Sequence, residues 1–259
     1  MPAGRMKIAF LAAPILAVVV LLVAAGCHAD KEAKEAKEKL AVVEKRRPEA
    51  QASLDAIAAI GKKELSLANG ALTYSGEPLS ERRFSGGNMA VMTVSCAANI
   101  ASNPDVLSDD VFGSPFDVCN AAQEMVHPEA AFRSAAQIDE DFDGLAQIKY
   151  VLLIKPLKSR KPEIKDKEFV SGLYRGEAYL FDLNGKAYGG VAFQGANSAS
   201  VEYTTRVNLK TNAVISSSAD RSVDTDFCNN VRQACQAALA ERAPASGGKP
   251  LISIDTHVF

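Results

Sequence analysis

The run Asp139-Glu140-Asp141-Phe142-Asp143-Gly144 carries carboxylates at alternate positions followed by a glycine. That spacing matches the start of a calcium loop, in which alternating oxygens converge on one hard cation and the glycine permits a sharp turn. The closing position of such a loop, which calls for a bidentate glutamate, is Tyr150 here. Any ion held by Asp139, Asp141 and Asp143 is therefore expected to bind weakly, and the alternative is a solvated acidic loop leading into a strand. Cys96 and His127 are the residue types of a thiolate–imidazolium pair, although a buried or disulfide-bonded Cys96 is the reading that an exported chain favours. G-x-S-x-G, H-E-x-x-H, C-x-x-C, phosphate loops and dinucleotide fingerprints do not occur. No catalytic residue is assigned and no cofactor is expected.

The N-terminus is more informative. Arg5 and Lys7 precede an apolar run over residues 8–25, then Gly26, Cys27 and an abruptly charged segment. Positive, apolar and small-residue regions in that order form a secretory signal, because an apolar helix partitions into the bilayer while its flanking positive charge stays behind. The residues Val23-Ala24-Ala25-Gly26-Cys27 resemble the lipobox of bacterial lipoproteins, with Ala24 where that family most often has leucine. The resemblance covers the signal alone. It implies a diacylglyceryl thioether on Cys27 and cleavage just before it. His28 follows the cysteine where an inner-membrane retention signal of the enteric type would have aspartate, so the resemblance implies an outer-membrane protein facing the periplasm. The alternatives are an uncleaved inner-membrane signal anchor and cleavage after Ala29. Each places the rest of the chain outside the cytoplasm, where Cys96, Cys119, Cys228 and Cys235 become disulfide candidates. Cys228 and Cys235 lie seven apart on an expected helix, about 10 Å at 1.5 Å per residue, too far to bond each other.

These residues need elements to position them. Residues 30–47 are dense in Lys and Glu at helical spacing and read as a solvated helix with few buried contacts. Pro48 fits the first turn of a second helix over 48–60, apolar on one face, with Gly61 placed to end it. Residues 89–94 and 148–154 read as strands, the latter apolar on both faces. Ser114-Pro115-Phe116-Asp117 is a helix start, and His127-Pro128 ends that helix. Residues 157–166 read as an exposed loop whose Lys158, Arg160 and Lys161 could touch anionic headgroups.

Asn184-Gly185 signals a two-residue hairpin turn, which sets Phe181 opposite Tyr188 and Tyr179 opposite Gly190. That register puts Tyr179, Phe181 and Tyr188 on one face, and Leu180 and Val191 on the other. Gly189-Gly190 leaves room for a bulge or for an aromatic ring across the glycine. Residues 201–209 alternate as a strand with 213–216 as its return, Asp224 is placed to cap a helix over 225–242, and 251–259 supply an edge strand.

The fold expected is α+β: an N-terminal helical segment, then one domain with a mainly antiparallel sheet and packed helices. The organisation is a signal over 1–26, a charged membrane-proximal segment over 27–63 and a globular domain over 64–259. Net charge is −2, and loss of Arg5 and Lys7 with the signal leaves −4. A nucleic-acid partner wants a basic footprint and is not expected. The function these features suggest is a lipid-anchored envelope protein that binds or scaffolds an envelope protein or glycan. The alternatives are an envelope hydrolase whose site residues are scattered in sequence, or a weak calcium binder.

Overall fold

Residues 151–154 are apolar on both faces because the strand that carries them is covered on both sides. The computed structural model describes residues 12–82, 86–102, 111–112, 116–127, 133–165, 168–202, 204–207, 214–243 and 250–256, with backbone alone over 12–30 and at a few other positions. The central sheet has four strands in the order β2 (Met89–Thr93), β3 (Tyr150–Arg160), β6 (Leu173–Asp182) and β7 (Ala187–Ala196). β2 runs parallel to β3, and the β3–β6 and β6–β7 ladders are antiparallel. The chain is α+β, with helices packed on a mainly antiparallel sheet.

Alternation along each strand sorts side chains between two cores. Ala90, Met92, Val151, Leu153, Tyr179 and Phe181 face α1 (Ala12–Gly61), α2 (Val94–Asn99), α3 (Phe116–Val126) and α4 (Ala135–Ala146). Met89, Val91, Leu152, Ile154, Ala178, Leu180 and Val191 face α5 (Ala219–Arg242) through its Phe227, Cys228, Val231, Cys235 and Leu239. Gly195 lets α5 approach: a Cβ there would lie 2.6 Å from the Cα of Val231. Among the described residues three two-stranded pairs complete the strands: β1 (Leu79–Ser80) with β10 (Ile252–Ser253), β4 (Glu163–Lys165) with β5 (Glu168–Val170), and β8 (Thr205–Val207) with β9 (Val214–Ser217).

The β1–β10 pair is tied to α5 by a buried ion pair. Arg232, 2 % exposed, bonds the carboxylate of Glu81 and the carbonyl of Asp255. It also donates to the carbonyl of Val111 at 3.1 Å and lies 5.3 Å from the ring centre of Phe112. Glu81 accepts a second bond, 2.7 Å, from the Asp255 N–H. The guanidinium thus meets several acceptors, which is the condition under which a buried charge is tolerated.

Several elements depart from the expectations above. Pro48 does not divide α1, which is one helix through Gly61. Val43 lies buried on one side of the proline and Ala50, Leu54 and Ile57 on the other, in one core. Packing on both sides carries the helix across the single hydrogen bond that Pro48 removes. Residues 139–143 form part of α4, not a loop. Of the 157–166 loop, residues 157–165 hold the end of β3 and then β4, and residue 166 lies outside the described residues. α5 begins at Ala219, so Asp224 lies inside it and is not its cap.

The hairpin pairs Tyr179 with Gly190 as expected, but Phe181 pairs with Ala187, because a one-residue irregularity falls between. Gly189 supplies it at φ +94°. The slip sends Tyr188 to the α5 side, where it packs against the second core, away from Tyr179 and Phe181. The Tyr179 ring lies across Gly190, where a Cβ would be 2.7 Å from it. Of the 201–209 strand and its return, β8 and β9 are observed, and residues 208–213 lie outside the described residues.

Candidate functional site

Asp139, Asp141 and Asp143 do not converge. Asp139 and Asp143, one helical turn apart on α4, both meet Arg46 of α1, with the Arg46 Nε 2.7 Å from Asp139. Asp141 turns to Arg133. The hydrogen bond from Arg46 holds the Asp139 carboxyl below its ordinary range. The α4 backbone supplies the reason: successive residues are about 100° apart around a helix, so alternate positions diverge where in a loop they could close on one ion. Among the described residues no group of three or more His, Cys, Asp or Glu side chains is placed to hold a metal ion.

The disulfide candidates Cys96, Cys119, Cys228 and Cys235 all stand as thiols. Cys96 belongs to the α1–α4 core and Cys228 and Cys235 to the α5 core, so the sheet separates them. Cys228 and Cys235 lie on an unbroken helix, as the spacing argument required. Burial pushes the Cys235 thiol far above its ordinary value, which makes it inert. Cys96 is a buried residue of α2, while His127 is exposed just past the end of α3. Cys27 lies on α1, and its side chain is outside the described residues. Among the described residues no helix is long and apolar enough to cross a membrane.

The arrangement that the sequence did not point to lies at the edge of the sheet. β7 is an edge strand, and residues 70–73 run along it: Leu72 N–H donates to Gly190 at 3.0 Å and Thr73 N–H to Tyr188 at 2.8 Å. The 3-10 turn Leu67–Asn69 delivers this strip, with Ser66 Oγ accepting from the Ala68 N–H. Gly189 is required here, since a Cβ would lie 2.4 Å from the carbonyl oxygen of Ala71. Below the strip, Tyr74, Tyr150 and Tyr188 meet ring to ring with centres 5.2–6.2 Å apart, and Tyr74 donates to the Glu77 carbonyl.

A narrow strip leaves space on each side of the sheet. On the α1 side a cavity of about 470 Å³ is lined by residues that include Lys63, Glu64, Ala71, Tyr179, Phe181 and Gly189. On the α5 side a cavity of about 290 Å³ lies between Leu67, Ala71, Val191, Ala238, Glu241 and Arg242. The larger cavity has an aromatic floor and a charged rim. Lys63 Nζ sits 5.6 Å above the Phe181 ring and donates to the Gly185 carbonyl at 2.5 Å. Tyr179 Oη donates to Glu177 at 2.6 Å, and Lys155 completes that group 3.7 Å from the same carboxylate. Burial and then Glu177 push the Tyr179 phenol far up, so it remains a protonated donor. Aromatic faces and one ammonium are the means of binding an apolar or aromatic body. The signal that could have found this site was the glycine pair, already legible as a place of close backbone approach.

Compared with family models, curated proteins and solved structures, the chain matches none.

Proposed function

We propose that this chain is a lipid-anchored protein of the bacterial cell envelope whose α+β domain is a binding module. The observation that supports binding is the cleft of about 470 Å³ between the segment that follows α1 and the β7 edge. Its floor is aromatic, the Tyr179 phenol is held as a donor, and Lys63 at its rim is engaged by the Gly185 carbonyl and the Phe181 ring. The anchor rests on the lipobox-like residues before Cys27 and on the outer-membrane implication of His28. Occupants that fit are an apolar side chain or small amphipathic group presented by an envelope protein or glycan.

A photo-crosslinking amino acid placed at Ala187, an exposed cleft residue, tests this in intact cells. A discrete adduct is expected, weakened by Lys63→Glu at the rim. Absence of any adduct at Ala187, with strong adducts from a control site such as the exposed Gln233 of α5, would move the binding surface elsewhere.

A further inference from the structure

The described residues include six large apolar side chains that are exposed, and four of them fall in one short arm: Leu157, Ile164, Phe169 and Val170, 36–56 % exposed. The arm is the end of β3 with the β4–β5 hairpin. Scattered surface apolar residues are ordinary, but such a concentration in one projection marks a contact surface.

The arm is held on a fixed base. Gly172 lies against Phe227 of α5 and against Pro162, so closely that a Cβ would be 2.7 Å from the Phe227 ring. Asn197 accepts from the Gly172 N–H at 2.9 Å and donates to the Val223 carbonyl at 2.8 Å. Arg160 ties the two sides of the base through the Ser171 carbonyl at 2.8 Å. Beyond this base, Ile164 and Phe169 are direct cross-strand partners and share one face of the hairpin. Lys158, Arg160 and Lys161 lie at the base of the hairpin and Lys165 on its other face, cross-strand from Glu168, all four cations exposed. Residues 157–170 carry five basic and three acidic side chains, net +2 in a chain of net −2.

We infer that this arm docks on an anionic bilayer surface, with the Ile164–Phe169 face and Leu157 entering the headgroup region and the cationic side chains meeting lipid phosphates. Exposed apolar side chains beside an excess of cationic ones are the composition of interfacial membrane contacts. Lysine is depleted in protein–protein interfaces, which makes a protein partner the poorer fit. The inference goes beyond the binding cleft and does not need Cys27 to be acylated.

The chain has no tryptophan, so Phe169→Trp in the full-length protein creates a single fluorescent reporter. The protein is reconstituted into vesicles of phosphatidylcholine alone or mixed with phosphatidylglycerol, with brominated acyl chains as quenchers. The expected result is a blue-shifted emission, quenched at least twofold more in the phosphatidylglycerol vesicles and weakened by high salt. Replacing Lys158, Arg160, Lys161 and Lys165 with Gln should abolish that difference, and Val126→Trp, at the end of α3, should report water throughout. Emission from F169W that ignores phosphatidylglycerol overturns the inference. So does a blue shift on concentrating the protein without vesicles, which would mean that a second copy covers the arm. Because reconstitution brings the chain to the bilayer in any case, a failed acylation reading leaves these outcomes unchanged.

Discussion

Glu124 stands apart among the carboxylates. It is 4 % exposed on α3, its Oε2 has no hydrogen-bond partner, and the nearest cation is Arg133 at 3.8 Å, already engaged with Asp141. Lys39 of α1 also lowers it, but burial dominates and lifts its pKa to about 7. The sign of the linkage follows. The folded protein binds this proton more tightly than the unfolded chain, so the stabilising effect is complete below the ordinary glutamate value and is lost as pH rises through about 7. Asp139, shifted the other way by Arg46, loses its contribution only at more acid pH. Between pH 5 and pH 8, unfolding free energy should therefore fall by on the order of 2 kcal/mol, since one pKa unit corresponds to about 1.4 kcal/mol. Glu124→Gln should flatten that slope. Urea denaturation across the pH range checks it, and a wild-type profile that is flat or rises toward pH 8 would refute the assignment.

At the scale of elements, α1 joins an exposed part to a buried one. Residues 31–38 are exposed throughout, whereas Val43 lies in the core and Arg46 grips α4 at Asp139 and Asp143. The solvated helix read over 30–47 is thus solvated only in its first part. Removing residues 31–37 excises close to two helical turns and shifts the helical phase by only about 20°. It should leave the melting temperature within about 2 °C, since few buried contacts go. Removing 31–46 takes Val43 and Arg46 as well. Burial of a valine is worth about 1.5–3 kcal/mol, and about 2–4 °C per kcal/mol at this size gives a drop of several degrees. Calorimetry on the two deletions decides it, and equal melting temperatures would show that α1 does not dock through Val43.

The same elements show where sequence is readable. β2, the core of β3, the end of α3 and the Tyr179–Gly190 register all follow from local pattern, because alternation and turn chemistry act within a few residues. α4 was legible too, through Ser134-x-x-Gln137, where each side chain bonds the other's backbone N–H. The aspartate spacing masked it, since alternate carboxylates suit a calcium loop and a solvated helix face alike. The fate of Pro48 was not legible, because the packing that carries α1 past it comes from α2 and α4. Tyr188 was misplaced by one bulge residue, and a strand with period two converts one extra residue into a change of face. The cleft was invisible for a related reason: its walls come from residues 63–73 and 179–189, brought together only by the strip that pairs with β7.

At the scale of the whole molecule, the question is what α1 connects. If the chain is cleaved before Cys27, the helix that remains to Gly61 is about 50 Å long at 1.5 Å per residue. Its second half is fixed in the core, so the first half is a rigid arm whose far end carries Cys27. A lipid on that residue would then set the distance of the domain from the bilayer as well as its location. One acyl chain anchors only marginally, and a diacylglyceryl group with a further N-acyl chain holds stably, because each buried CH₂ adds about 0.8 kcal/mol. The wild type should accordingly incorporate a clickable fatty acid and show the intact mass of a chain that has lost residues 1–26 and gained lipid. Cys27→Ser should abolish the label and leave the unprocessed precursor, since both modification and cleavage act at that thiol. Uncleaved insertion predicts something different: residues 1–26 retained, no label, and no change on Cys27→Ser beyond the atom replaced. Metabolic labelling read beside intact mass separates the two, and an unlabelled wild type that keeps residues 1–26 would establish the signal anchor instead.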